Sequence, residues 1–229
     1  MKSVILFDLD GTLLYTLPSI TAAMNRTLER FNLHTITLER VRQLVGNSSR
    51  YLVKHAVAES GGNGWSDEQI QAFLDAYNAD YLSHPIEGTT PYPGTETLLD
   101  ALKVQKKQVW VYSNKPDAIA KEVVHHFFGA RVDKIRGYRE DTARKPDPEG
   151  VYAMLEEGGK QVSDVLYVGD SEVDWKLAQA AGLDILLLSY GFRSEEELRK
   201  TTTAKSFIAT PEQLKSVLLG YSSSYQERE

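Results

Sequence analysis

The chain of 229 residues has no cysteine, which excludes disulfides, thiolate metal sites and cysteine nucleophiles. It has no basic excess either. The 26 lysines and arginines stand against 32 aspartates and glutamates, a formal charge of -6, so no nucleic-acid partner is expected. No apolar run approaches the roughly 20 residues that a membrane span needs, so no membrane partner is expected. The five histidines (34, 55, 84, 125 and 126) lie apart from the chemistry-bearing stretches described below. His125 and His126 are neighbours on an expected helix and point in different directions, which argues against a metal pair. Met1-Lys2-Ser3 runs into an apolar strand that Asp8 breaks too early for a secretory signal, so the expected location is cytoplasmic.

What is present begins with Val4-Ile5-Leu6-Phe7, a β-branched and aromatic run of the kind buried on both faces in a parallel sheet. It ends in Asp8-Leu9-Asp10-Gly11-Thr12. On extended backbone the two carboxylates point to the same side. Gly11 permits a sharp exit, and Thr12 adds a hydroxyl. Taken alone, the stretch could equally be an Asp-Gly turn that opens a hairpin.

The rest of the chain sets the frame. Ile20, Met24, Leu28 and Phe31 fall at helical spacing behind Pro18. Further helices are expected over 38–45, through about Glu59, and from the Ser66/Gln69 capping box towards Leu82. Residues 15–84 therefore read as an all-helical insert, returning through a proline- and glycine-rich linker at 85–94. From 95 onward the pattern alternates. Helices are expected over 95–104, 116–128, from Asp147-Pro148, over 172–181, and at the capping boxes Ser194/Glu197 and Thr210/Gln213. Strands are expected over 109–112, 134–136, 165–168 and 185–188. The tail from Tyr221 is polar and reads as frayed. The alternation predicts an α/β fold, a doubly wound parallel sheet. Its core comprises 1–14 and 85–229, and the helical insert forms a cap over 15–84.

In such sheets ligands gather beyond the carboxyl ends of the strands. There the sequence places Asp8 and Asp10, then Ser113-Asn114-Lys115, then Lys145 in Lys145-Pro146, then Gly169-Asp170-Ser171-Glu172-Val173-Asp174. Singly, these read as helix caps or a solvated lysine. Together they suit the cleavage of a phosphate monoester. A carboxylate about 3.5 Å from a phosphate dianion meets a repulsion of about 9 kcal/mol at an effective dielectric near 20. Positive charge must gather at the same point, from a lysine and a hard divalent cation held by carboxylates, typically Mg²⁺. The second aspartate can protonate the leaving alkoxide and later deprotonate water. Ser113 and backbone amides near Leu9 and Asn114 can hold the transferred oxygens.

These four ordered motifs, spanning residues 4 to about 188, resemble those of the haloacid dehalogenase (HAD) superfamily. The helical insert is similar to the cap of its phosphoglycolate phosphatase-like branch. The resemblance implies Asp8 as nucleophile and Mg²⁺ ligand. It implies Asp10 as general acid/base, binding the metal through its backbone carbonyl, and Asp170 as the second carboxylate on the metal. Ser113 and Lys145 would grip the phosphoryl group, with Asp174 standing behind the metal ligands. It further implies a Mg²⁺-dependent phosphatase acting on a small soluble phosphomonoester, in a monomer or homodimer. A β-phosphoglucomutase-type phosphosugar mutase, a pyrophosphatase and a silent binding protein are the alternatives. Haloacid dehalogenases lack the second aspartate, so Asp10 argues against dehalogenation. Gly46-Asn47-Ser48-Ser49 lies where the branch places its substrate-facing cap loop, and Arg50 beside it is the expected contact for the substrate's carboxylate or distal polar end. Tyr15 departs from the branch, which often carries an acidic residue at this hinge position.

Overall fold

The structure, a computed structural model, describes residues 2–220; the expected frayed tail from Tyr221 lies outside them. Its centre is β1 (Val4–Phe7), all four residues buried. The strand pairs in parallel with β4 (Gln108–Pro116) on one side and β6 (Val165–Gly169) on the other. Strands β5 (Lys134–Tyr138) and β7 (Asp184–Leu187) complete a sheet of order β5-β4-β1-β6-β7. Both faces of β1 are covered, which is why its sequence is uninterruptedly apolar. The strand order reverses direction at β1, so a crevice opens at its carboxyl end.

Register fixes what gathers there. Phe7 is level with Val111 on β4 and Val168 on β6, so Asp8 emerges between Tyr112-Ser113 and Gly169-Asp170. Helices α5 (Thr95–Val104), α6 (Asp117–Phe128), α7 (Glu149–Gly158) and α8 (Glu172–Ala181) connect the strands. Two further helices, α9 (Glu195–Thr201) and α10 (Pro211–Leu219), follow the last strand. The apolar side chains divide into a large cluster on one face of the sheet and a second around Leu6, Trp110 and Tyr167 on the other.

Between β1 and α5 the chain leaves through β2 (Leu14–Tyr15) and returns through β3 (Thr90–Pro91). These pair antiparallel as a narrow ribbon that the sequence did not foretell, since neither strand exceeds two residues. Beyond the ribbon lie α1 (Leu17–Arg30), α2 (Leu38–Leu44), α3 (Ser49–Glu59) and α4 (Asp67–Ser83). They pack α1 on α4, α3 on α4 and α2 on both α1 and α3. Ser66 and Gln69 form the expected reciprocal cap at the start of α4. Tyr15 sits in the ribbon and meets Tyr92 edge-on at 6.2 Å, which in turn meets Tyr190 at 5.1 Å. The hinge position is thus filled by aromatic packing.

Some local expectations shift. Strand β4 continues past the expected end at 112 through Ser113-Asn114-Lys115 to Pro116, with a register shift past Tyr112, so Pro116 caps α6 rather than lying within it. Pro148 stands at the N-cap of α7, one place earlier in the helix than expected, and Asp147 accepts from the Glu149 amide at 2.9 Å. At α10 the Gln213 carbonyl reaches the Ala209 amide at 2.8 Å instead of closing a box with Thr210.

Candidate active site

Six of the expected residues, Asp8, Asp10, Ser113, Asn114, Lys145 and Asp170, line one cavity between the carboxyl edge of the sheet and the helical insert. Its volume is about 70 Å³. Opposite them stand the 45–49 loop and the α4 residues Tyr77 and Tyr81.

Asp8 leaves β1 with its amide donating to Val168 O at 2.9 Å. Its Oδ1 accepts from the Leu9 amide at 2.7 Å and from Lys145 Nζ at 2.8 Å. Among the described residues nothing binds Oδ2, which is left for the cavity. The Leu9 amide is thereby committed to Asp8, and Leu9 itself is buried outside the cavity. Burial pushes the Asp8 carboxyl well above its ordinary range and the Asp174 charge adds to this, while Lys145 pulls the other way.

Asp170 follows Gly169 at the end of β6. Its Oδ1 accepts from Thr12 Oγ1 at 3.0 Å and its Oδ2 from the Phe192 amide at 2.7 Å. Gly11 lies so close that a Cβ there would stand 2.2 Å from Asp170 Oδ2, and its φ of +84° belongs to the region glycine adopts freely. The Asp-Gly-Thr sequence is thus explained by Asp170. Burial, with the Asp174 charge, raises the Asp170 carboxyl to about 7, against the opposing Phe192 and Thr12 hydrogen bonds.

Asp174, in the first turn of α8, has no solvent exposure and does not line the cavity. Its Oδ1 takes Lys145 Nζ and Tyr167 Oη, each at 2.8 Å. Its Oδ2 takes Ser171 Oγ at 2.6 Å and the Asp170 and Ser171 amides at 3.2 and 3.1 Å. Burial would raise this carboxyl, but Lys145 and these donors hold it below its ordinary value. Lys145 shows the reverse balance. Burial pulls its ammonium down, while Asp174 and Asp8 more than offset this and hold it above the usual lysine range.

Ser113 is buried, and its Oγ accepts from the Lys115 amide at 3.2 Å, so its own hydroxyl hydrogen is available to the cavity. Asn114 acts differently from the sequence expectation, which assigned its backbone amide. Its side chain ties two parts together: Oδ1 accepts from the Lys145 amide at 2.8 Å. Nδ2 donates to Lys145 O at 3.1 Å and to Asn47 O, in the helical insert, at 2.7 Å.

Arg50 does not reach the cavity. Its guanidinium bonds Gln71 at 2.7 Å and Asp67 at 3.1 Å on the outer side of the insert, because the first turn of α3 points this side chain towards α4. The substrate-facing role expected of it from sequence has no geometric support. Two cationic side chains to which the sequence assigned no role line the cavity, Lys115 and Arg193. Lys115 Nζ lies 3.0 Å from Asp10 Oδ1 and also bonds the Tyr81 hydroxyl. The available signal was positional: Lys115 is two residues past Ser113 on the same strand, so both side chains emerge on one side.

Asp8, Asp170 and Asp174 bring carboxylate oxygens within 4.8 Å of one another, all buried. Lys145 offsets part of this charge at Asp8 and Asp174, and the burial that raises the Asp8 and Asp170 carboxyls favours a further cation beside them. The donors are all hard oxygens, which suits a divalent cation such as Mg²⁺ or Ca²⁺ rather than a soft metal.

A five-stranded parallel sheet with buried carboxylates converging at its switch point, beneath a helical cover, makes this an α/β protein with an acidic site suited to a divalent cation. Comparison with known proteins narrows this. Residues 5–188 match the family described as haloacid dehalogenase-like hydrolase. The phosphoglycolate phosphatase of Rhodospirillum rubrum is 35% identical over 202 residues, covering 85% of this chain and 83% of that protein. Phosphoglycolate phosphatase 1 of Pseudomonas aeruginosa is 34% identical over 195 residues, covering 84% and 71%. A crystal structure from Lactobacillus delbrueckii subsp. bulgaricus superposes with a TM-score of 0.88 at 27% identity, covering 96% of this chain and all of that one. The chain belongs to the haloacid dehalogenase-like hydrolase family, and within it to the phosphatases that resemble phosphoglycolate phosphatase. Among the described residues no helix is long and apolar enough to cross a membrane.

Proposed function

We propose that this chain hydrolyses a small phosphomonoester of the phosphoglycolate kind, with Mg²⁺ as cofactor, through a phosphoryl group carried on Asp8. The observation that carries the reading is the division of labour on Asp8. One carboxylate oxygen is held by Lys145 and the Leu9 amide, and the other has no partner among the described residues, on a side chain that lines the cavity.

Asp8 and Asp170, with the Asp10 backbone carbonyl that the family resemblance implies, would hold the ion. When bound, it supplies charge neutralisation for the incoming phosphate. Asp8 Oδ2 bonds to phosphorus as the ester P–O bond breaks, and Asp10 gives its proton to the departing alkoxide. The Asp10 carboxylate then takes a proton from water, whose oxygen bonds to phosphorus as the acyl phosphate P–O bond breaks. Asp8 is regenerated and inorganic phosphate leaves. Lys145 keeps its charge beside Asp8 throughout, since two carboxylates hold it protonated. Ser113 donates to a phosphoryl oxygen. The 15–84 insert acts as a cap that excludes bulk water, with Asn114 holding its loop against the core.

The test is a phosphate-release screen over two-carbon, three-carbon and sugar phosphates, with Mg²⁺ and with chelator. Mg²⁺-dependent release from short esters is expected. Interconversion of sugar phosphates without release would favour the mutase, and release from pyrophosphate alone would favour a pyrophosphatase.

A further inference from the structure

We propose that Lys115 and Tyr81 form the receptor for a carboxylate that the substrate carries beside its phosphate ester, and so select a phosphorylated acid over a neutral ester of similar size. This rests on the phosphatase reading above and concerns which ester is chosen, not how it is cleaved.

Among the described residues three cationic side chains line the cavity, and Lys145 is fully committed. Lys145 Nζ has three hydrogens and three partners, Asp8 and Asp174 at 2.8 Å each and Tyr167 Oη at 3.1 Å. Arg193 has its charge paired with Glu172, Nε at 3.3 Å, and is tied to the insert by Nη1 on Arg42 O at 2.7 Å and Nη2 on Val45 O at 2.8 Å, which uses three of its five N–H groups.

Lys115 is different. Its ammonium meets one carboxylate, Asp10, at 3.0 and 3.3 Å, and one hydroxyl, that of Tyr81. With one hydrogen shared between the two Asp10 oxygens, one ammonium hydrogen is left over. Tyr81 Oη accepts from Lys115 and also from Ser19 Oγ at 3.0 Å, so its own hydrogen must point elsewhere. Two spare donors therefore sit on atoms already in contact, both bordering the cavity and both buried. Adjacent donors, one of them charged, suit the two oxygens of a carboxylate. The nearby walls, Ile20, Val45, Leu52 and Tyr77, carry no charge, so Asp10 is the carboxylate with which a bound acid shares Lys115. The cavity of about 70 Å³ is also small, since one water takes roughly 10–15 Å³ on this measure. That suits a short acid rather than a sugar.

The experiment compares 2-phosphoglycolate with ethyl phosphate, which lacks the carboxylate, using the full chain with Mg²⁺. The wild-type protein should prefer phosphoglycolate. Lys115→Met should cut that preference in kcat/KM by about 30-fold and Tyr81→Phe by about tenfold, the scale of charge-assisted and neutral hydrogen bonds. Lys115→Arg should restore part of it. A parallel loss on both esters would mean that Lys115 only positions Asp10, and an unchanged ratio would mean that the carboxylate binds elsewhere; each overturns the assignment. Tyr81→Phe, which keeps its buried ring, decides the matter if Lys115→Met fails to fold. Hydrolysis of neither ester by the wild-type protein refutes the phosphatase reading itself, and this assignment with it.

Discussion

Lys145 Nζ lies 2.8 Å from Asp174 Oδ1, and neither side chain meets appreciable solvent: their exposures are 2% and 0%. Asp174 does not border the cavity, yet it fixes the charge that does. Breaking a buried pair by removing one partner leaves an uncompensated charge, typically at a cost of about 3–5 kcal/mol. Lys145 keeps Asp8 as a second partner, so Asp174→Asn should lower unfolding stability by less than this, about 2 kcal/mol, and reduce activity together. Denaturant titration checks it, and a loss below about 1 kcal/mol would show that the pair contributes little.

A second prediction concerns pH and metal. The Asp170 carboxyl is raised from 3.8 to about 7, and Asp8 is raised as well. The native protein then holds protons that the unfolded chain releases. Without metal, these groups make stability fall as pH rises from about 4 through 7. A cation bound there must displace those protons, so it binds better above pH 7 than below. The rise in Tm produced by MgCl₂, relative to chelator, should be larger at pH 8 than at pH 6. An equal or larger rise at pH 6 would contradict the assignment of Asp170 to the metal.

Asn114 joins the 46–47 loop of the insert to the Lys145 loop of the core. Each hydrogen bond contributes about 1 kcal/mol. Asn114→Ala should lower kcat/KM by about tenfold or more through loosened closure. The unfolding midpoint should move little, since the residue borders a cavity. Unchanged kinetics would show that the clip is idle.

Arg50 gives the opposite expectation. Its partners Gln71 and Asp67 lie on the outer surface, and exposed pairs contribute less than about 1 kcal/mol. Arg50→Ala should leave the ranking of phosphate esters unchanged in the release screen. A reordered ranking would return Arg50 to the substrate.

Much of this was legible in sequence because strand ends announce themselves. The apolar run of β1 forces it between two strands, and the parallel register then brings Asp8, Ser113 and Asp170 to one edge. Asp10 and Gly11 were readable for the same reason, although only the structure shows Gly11 making room for Asp170. What escaped depended on contacts between distant segments. Lys115 gains meaning from Tyr81, a cap residue 34 positions away in sequence, and Arg193 from carbonyls roughly 150 positions away. Arg50 turns to Gln71 and Asp67 because a place beside a loop does not set the direction of a side chain on the helix that follows. The two-residue strands β2 and β3 were invisible because so short a pairing carries no periodicity.

The central claim is that the phosphoryl group rests on Asp8 between the two half-reactions. Rapid acid quench during turnover of a phosphate ester, followed by peptide mass analysis, tests it most directly. The peptide carrying Asp8 should gain the mass of one phosphoryl group, and Asp8→Asn should keep the fold while losing both the label and turnover. Label on a different residue, or continued turnover by Asp8→Asn, would contradict the account.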